Sequence, residues 1–283
     1  MNKKLLNKTV LITGATSGIG KETAKALALE GAEVIIIGRN QQKAIQTVEE
    51  IKTLSSNDKI NFIIADLSSQ NEVRKAAQQF LNSGKPLHIL VNNVGLYFPR
   101  FAESVDGIEM TFALNHLSYF LLTNLLLHRI KESENARIIN VSSVAHKFFN
   151  LDFNDLECRK NYIGFVAYCK SKLANILFTR ELAKRLKNTD VTVNALHPGI
   201  VATSFGKMSW WYNLIINKLC RPFLISPEEG AKTSIYLCTS PDVNNISGEY
   251  FVRCKIGKIS KFAKNDDAAK KLWEISEKMT RLS

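Results

Sequence analysis

Thr13-Gly14-Ala15-Thr16-Ser17-Gly18-Ile19-Gly20, residues 13–20, joins a short β-branched run at 9–13 to an amphipathic stretch from Gly18 to about Glu30. Glycines between a strand and a helix let the backbone turn tightly and approach a ligand. The helix start offers free N–H groups and the positive end of its dipole to an anion such as a pyrophosphate. The spacing is Gly-x-x-x-Gly-x-Gly, not the commoner dinucleotide fingerprint. A plain turn uses the same residues, so the weight of this stretch depends on the pattern of the chain beyond it.

That pattern is a βαβ rhythm. Strand-like runs at 33–38, 60–66, 87–93, 136–143 and 191–196 alternate with helical patterns at about 41–54, 71–82, 109–130 and 165–186. The runs are almost continuously apolar, as befits strands covered on both faces. Six parallel strands with right-handed crossovers, and a seventh at 249–254, predict the α/β class: a doubly wound, Rossmann-type parallel sheet of about seven strands with helices on both faces. No repeat or Pro/Gly-rich linker divides the chain, so residues 1–283 are expected to form one domain. The least regular stretch, 200–227, carries Trp210, Trp211, Tyr212 and the apolar run Leu214, Ile215, Ile216 and Leu219. It is expected to be a lid over a hydrophobic substrate; packing on the sheet, contact with a second copy in a homo-oligomer and contact with a membrane surface are the other readings.

With 45% hydrophobic and 23% charged residues in 283, the chain can bury a core, which excludes disorder and collagen-like structure. The net charge of +12 suits nucleic acid, an anionic membrane or an anionic cofactor. Basic residues are spread over 43–52, 184–187 and 255–271, which reads as solvated surface, and no nucleic-acid-binding motif accompanies them. The excess charge therefore favours a phosphorylated cofactor. Cys158, Cys169, Cys220, Cys238 and Cys254 show neither CxxC pairing nor metal-ligand spacing, which points to a reduced cytoplasmic setting and no metal. Residues 1–8 hold no apolar stretch of signal or anchor type, and no run of about 18 apolar residues occurs later. A cytoplasmic protein, at most peripheral at a membrane surface, is expected.

The second strand-like run ends in Gly38 and Arg39, about where many NAD sites place a carboxylate on the ribose 2′-OH. A guanidinium there suits a 2′-phosphate, which a carboxylate would repel, and this predicts NADP(H); stacking of Arg39 on adenine is the alternative. Asp66 can accept from the adenine amino group or cap the next helix. Asn92-Asn93-Val94-Gly95 can pack beside a cofactor or simply turn. His197-Pro198-Gly199 gives a rigid turn able to meet a nicotinamide carboxamide, with Ile200 and Thr203 just beyond.

Tyr168 and Lys172 stand four apart in a helical pattern and share one face. A tyrosine near pKa 10 moves protons poorly at neutral pH, and the neighbouring ammonium is expected to lower that value and make it a usable acid/base. Ser143 ends the fifth run, where its hydroxyl can hydrogen-bond a carbonyl oxygen gaining charge, or cap a turn. Asn115 interrupts an apolar helix and can hold an ordered water behind Lys172, or make a core hydrogen bond that kinks the helix. His146 is expected to be a surface or satisfied-core histidine, and Cys169 a small filler.

In chain order TGATSGIG (13–20), GRN (38–40), ADL (65–67), NNVG (92–95), the Asn115 helix, NVSS (140–143), YCKSK (168–172) and HPG (197–199) resemble the short-chain dehydrogenase/reductase family over nearly the whole chain. NVSSVAH, FVAYCKSKLANILFTRELAKRL and HPGIVAT are similar to its retinol dehydrogenase and WW-domain oxidoreductase branch. The resemblance implies that Tyr168 is the acid/base, that Lys172 also holds the nicotinamide ribose, that Ser143 orients the carbonyl and that Asn115 anchors a relay water. It implies cofactor contacts from Gly14, Thr16, Ser17, Gly18, Ile19 and Gly20, from Arg39 and Asn40, and from Asp66 and Leu67. Asn93, Val94 and Gly95, Tyr168 and Lys172, and Pro198, Gly199, Ile200 and Thr203 complete that expectation. The implied activity is NADP(H)-dependent interconversion of a lipophilic aldehyde or ketone, retinal-like in one case, and its alcohol. A catalytically idle NADP(H)-sensing or protein-interaction member of the same fold is the alternative.

Overall fold

The computed structural model describes residues 3–199 and 225–282. Its strands are β1 Thr9–Thr13, β2 Glu33–Gly38, β3 Ile60–Ile64, β4 Ile89–Asn92, β5 Arg137–Val141, β6 Thr192–His197, β7 Tyr250–Val252 and β8 Lys255–Ile256. The helices needed here are α1 Gly18–Leu29, α2 Gln41–Ser55, α3 Gln70–Asn82, α4 Met110–Lys131, α5 Gly164–Arg185, α6 Pro227–Thr239 and α7 Asp266–Thr280.

The strands form one sheet in the order β3-β2-β1-β4-β5-β6-β7-β8, parallel from β3 to β7. The expected seventh strand is shorter than 249–254 because the chain reverses after Val252. Arg253 and Cys254 take φ of 51° and 61°, the left-handed pair that suits a two-residue hairpin, and β8 returns antiparallel along β7. Chain order reverses between β1 and β4, which are hydrogen-bonded neighbours. At such a switch point the crossovers diverge to opposite faces and leave a crevice beyond the carboxyl ends of the strands.

Successive strand residues point to opposite faces, and two cores result. Leu11, Ile35, Ile37, Leu90 and Ile138 pack with Phe80, Phe120, Leu126 and Phe178 from α3, α4 and α5. Val10, Ile12, Val34, Ile36 and Val91 pack with Leu27, Val48, Ile51 and Leu237 from α1, α2 and α6. Burying each such side chain contributes about 1.5–3 kcal/mol, which explains why apolar runs with no alternation form these strands.

The helix α4 is apolar enough over its length to cross a bilayer by composition, with a mean hydropathy of 1.2, but 78% of that window is buried inside the protein. It serves as a core helix here. Its regular turns break at Ala113–Leu117, where the backbone opens into a π-turn around Asn115 and the Ser118 N–H reaches back to the Ala113 carbonyl. Residues 200–224, with Ile200, Thr203, Trp210, Trp211, Tyr212 and nearly all of the expected lid, lie outside the described residues.

Ile36 has no exposed surface, whereas Leu54 on α2 is 53% exposed. Ile36→Ala is expected to cost about 2–5 kcal/mol and Leu54→Ala under about 0.5 kcal/mol in urea denaturation; equal losses would contradict the two-core packing.

Candidate active site

The glycine turn is closed by a clasp from across the switch point. Thr13 Oγ1 accepts from the backbone N–H groups of Asn93 at 2.8 Å and Val94 at 3.0 Å. Asn93 Nδ2 donates in return to the carbonyls of Thr13 at 2.9 Å and Gly14 at 3.2 Å. A Cβ at Gly20 would lie 2.5 Å from both Asn93 Nδ2 and the Gly14 carbonyl, so the clasp leaves no room for a side chain there. Gly14 has φ of 65°, which only glycine adopts freely. The turn delivers α1 with its N-terminus open. Ser17 makes no capping hydrogen bond and the first turn carries no acidic residue, while Asn40, Ser69, Ser226 and Asn265 all cap their helices. Free N–H groups and the helix dipole thus face the crevice, beside Thr16, Gly18 and Ile19.

Arg39 is exposed at the end of β2, with no described carboxylate paired to it. Asn40, its neighbour, accepts from Lys43 N–H at 2.9 Å and caps α2, so its side chain is already engaged. Asp66 accepts from Ser68 N–H at 3.0 Å and Ser68 Oγ at 2.7 Å; it closes the turn after β3 and does not cap α3, a role Ser69 takes because the helix starts at Gln70. The Leu67 side chain is buried in the core, leaving only its backbone toward the crevice.

At the other side of the switch point α5 turns one face to the ends of β4 and β5. Lys172 is 3% exposed, its Nζ 5.6 Å from the centroid of the Tyr168 ring and 3.2 Å from the Val141 carbonyl, to which it donates. No described charge offsets its burial, and the ammonium pKa is pulled down to about 8. A Cβ at Gly95 would lie 3.0 Å from Nζ, so this glycine lets the loop after β4 approach. Tyr97 packs edge-on against the Tyr168 ring with centroids 6.2 Å apart. Burial pushes the Tyr168 hydroxyl up to about 12, with the nearby Ser143 side chain acting the other way. The expected lowering is not what the cofactor-free site displays: desolvation of the phenolate sets the direction.

Ser143 is extended, with φ of −158°, and its Oγ accepts from Ala145 N–H at 3.2 Å, so it caps the turn while its side chain stays near Tyr168. Ser142 turns inward instead and donates to the Lys172 carbonyl at 2.7 Å. Asn115 uses both ends of its amide: Oδ1 accepts from Leu96 N–H at 2.9 Å, and Nδ2 donates to the Leu96 carbonyl at 2.9 Å and to Ser171 Oγ at 3.2 Å. The core bond at a distorted helix turn is what the structure displays at this residue. His146 is a satisfied core histidine. Its Nδ1 donates to the Ser143 carbonyl at 2.7 Å, its Nε2 accepts from Ser260 N–H at 3.2 Å, and burial lowers its pKa. Burial also pushes the Cys169 thiol up to about 12, which keeps it unreactive.

A buried polar belt behind these groups is not foreseen from the sequence. Asn92 Nδ2 donates to Thr123 Oγ1 and to Asn140 Oδ1, both at 2.9 Å, and Asn140 Nδ2 donates to Thr179 Oγ1 at 2.9 Å. The belt ties α4, β4, β5 and α5 together; asparagines inside apolar strands are the signal that could have exposed it. Tyr119 on α4 donates to the Val94 carbonyl at 2.7 Å and steadies the loop after β4. Pro198 and Gly199 come directly after β6, Gly199 with φ of 100°. Their neighbour His197 keeps a buried Nδ1 without a partner among the described residues, and burial brings its pKa down to about 4. An open cleft of about 510 Å³, bordered by Asn135, Arg180, Lys187 and Gly248, lies at the opposite edge of the sheet and touches none of the groups above.

This arrangement can present a neutral phenol and a serine hydroxyl to a polar atom, with an anion held at α1. The short chain dehydrogenase family profile matches residues 8–210. Retinol dehydrogenase 12 of Mus musculus is 43% identical over 97% of this chain and 87% of its own length, and human retinol dehydrogenase 11 is 41% identical over 96% and 86%. The WW domain-containing oxidoreductase of Gallus gallus is 38% identical over 99% of this chain and 69% of its own. An uncharacterized protein from Mycobacterium paratuberculosis superposes with a TM-score of 0.79 at 30% identity, covering 98% of this chain and 94% of that one.

Lys172 yields a stability test. Its proton binds below about 8 in the folded protein and below the ordinary 10.5 in the unfolded chain, so stability from this group rises with pH between those values and its full cost is present below about 8. Lys172→Met is expected to raise Tm by several degrees at about pH 6, and by much less near the ordinary lysine pKa. A fall in Tm at the lower pH would contradict it.

Proposed function

The chain belongs to the short-chain dehydrogenase family, and on that premise we propose that it is an NADP(H)-dependent oxidoreductase interconverting a lipophilic aldehyde or ketone and its alcohol, with Tyr168 as general acid/base. The observation that carries this reading is the joint placement of Tyr168, with Ser143 acting on its hydroxyl, beside the buried Lys172 ammonium at the crevice. Within reach of the same crevice lies the uncapped end of α1.

The residues present fit the cofactor. A pyrophosphate suits the turn at Gly14, Thr16, Ser17, Gly18 and Ile19, whose backbone approaches closely because Gly20 packs without a side chain. An exposed, unpaired Arg39 suits a 2′-phosphate. Asn93, Val94, Gly95, Pro198 and Gly199 border the nicotinamide end, with the backbone of Asp66 and Leu67 at the adenine end. When bound, NADPH supplies the hydride that reaches the carbonyl carbon.

The chain's own side chains handle the oxygen. Tyr168, protonated throughout the neutral range, hydrogen-bonds the carbonyl oxygen and delivers its proton as charge develops there. Ser143 Oγ gives the oxygen a second hydrogen bond and fixes its direction. Lys172 stabilises the phenolate left behind. The carbonyl is lipophilic because the approach to Tyr168 is aromatic: the Phe165 ring stands one helical turn before it, 6.0 Å from Phe148 and 6.3 Å from Phe149. Phe148 and Phe165 are 59% and 44% exposed, ready to meet an apolar chain. Relatives named retinol dehydrogenases make a retinal-like aldehyde one case.

With NADPH and a panel of lipophilic aldehydes, Tyr168→Phe is expected to lower kcat by about 10²–10⁴ while leaving NADPH binding within a small factor. Retained activity would contradict the role of Tyr168, and NADPH binding with no turnover across the panel would favour an idle sensor. Arg39→Ala is expected to weaken NADPH binding by about 10–100-fold and NADH binding hardly at all; equal losses would remove the 2′-phosphate argument.

A further inference from the structure

Asn175 lies on α5 three residues beyond Lys172, with no exposed surface. Its Nδ2 donates to the Asn115 carbonyl at 2.9 Å and to the Val141 carbonyl at 3.5 Å. The Val141 carbonyl is also the acceptor for Lys172 Nζ. Carbonyls only accept, so the amide's orientation is settled: its NH2 faces them and its Oδ1 faces His116 Nδ1 at 3.4 Å. His116 is fully buried and neutral, its pKa pushed down to about 4, so it has one N–H to give. That hydrogen sits on Nδ1, and Nε2 then accepts from Ser276 Oγ on α7 at 3.0 Å. A one-directional chain results, from Ser276 through His116 and Asn175 to the Asn115 carbonyl and to the Val141 carbonyl that also receives Lys172.

We propose that Asn175 is a positioning residue of the proton-transfer site, holding the Val141 carbonyl in the orientation that receives the Lys172 ammonium and tying it to the Asn115 carbonyl, with His116 locking its amide. The proposal rests on the reading of Lys172 as part of the reacting pair. Lys172 is faced by Tyr168 from its own helix, Tyr119 on α4 donates to the same Val141 carbonyl at 3.5 Å, and no described carboxylate or second cation acts on Lys172. A carbonyl dipole therefore takes the place of a counter-ion. Its direction governs how well the charge is held, and Asn175 is the side chain that ties it to the Asn115 carbonyl.

The test is a titration of the cofactor-free protein carrying 13C-lysine, with the Lys172 signal identified by its loss in Lys172→Met. Asn175→Leu frees the carbonyls and is expected to move the Lys172 midpoint down by about half a pH unit or more; Asn175→Asp puts a carboxylate beside the ammonium and moves it up. With NADPH and an aldehyde, Asn175→Leu is expected to lower kcat about tenfold or more with little change in KM for the aldehyde. A Lys172 midpoint unmoved in both variants overturns the proposal. Should Asn175→Leu not fold, His116→Phe removes the lock instead, with a downward shift expected and an unmoved midpoint overturning the proposal. If the wild-type protein reduces no carbonyl, the reductase reading fails, while the titration still decides whether Asn175 acts on Lys172.

Discussion

Lys172 carries an ammonium into the interior with one carbonyl at 3.2 Å and no described carboxylate acting on it. Burying such a charge costs several kcal/mol unless oriented dipoles replace the lost water. The surroundings supply them. Val141 ends β5 with its carbonyl toward Nζ, the face of the Tyr168 ring lies 5.6 Å away, and Asn175 and Tyr119 both reach the same carbonyl at 3.5 Å. A stable protein has no need of this ion; a proton-handling site does. Room for the ion explains why Gly95 has no side chain, since a Cβ there would lie 3.0 Å from Nζ.

The sheet places this charged end at a set distance from the other half of the crevice. Thr13 at the end of β1 and Asn93 just after β4 bind each other's backbone, so the turn into α1 and the loop that reaches Asn115 move as one piece. The open end of α1 follows β1, and the Tyr168–Lys172 pair lies against the ends of β4 and β5, the next two strands of the same parallel ladder. Beside the pair, Phe148, Phe149 and Phe165 gather into an aromatic cluster, with Phe148 and Phe165 exposed.

The strands from β1 to β6 are legible in the sequence because burial on both faces demands uninterrupted apolar runs, and the turn at 13–20 because a close approach demands glycine. Tyr168, Lys172 and Ser143 are legible for a different reason: polar groups at a strand end or on one helical face are conspicuous. Asn175, His116 and Ser276 are not, since their meaning lies in bonds spanning 59 to 160 positions that no local period records. Asp66 misleads in a smaller way, since one turn separates it from the helix whose cap it resembles. The acidity of Tyr168 is illegible because spacing reveals the neighbouring ammonium but not the depth at which both groups sit. Depth is a property of the assembled sheet.

In the proposed function, a hydride supplied by NADPH and a proton from Tyr168 would reach opposite ends of one carbonyl bond. That division is tested most directly by incubating the protein with a lipophilic aldehyde and NADPH deuterated at both C4 positions, and weighing the alcohol by mass spectrometry. A single deuterium is expected on the former carbonyl carbon, with none delivered there when unlabelled NADPH is used in D2O. An alcohol whose carbon takes its hydrogen from solvent, or no alcohol from any member of a broad aldehyde set, would contradict it.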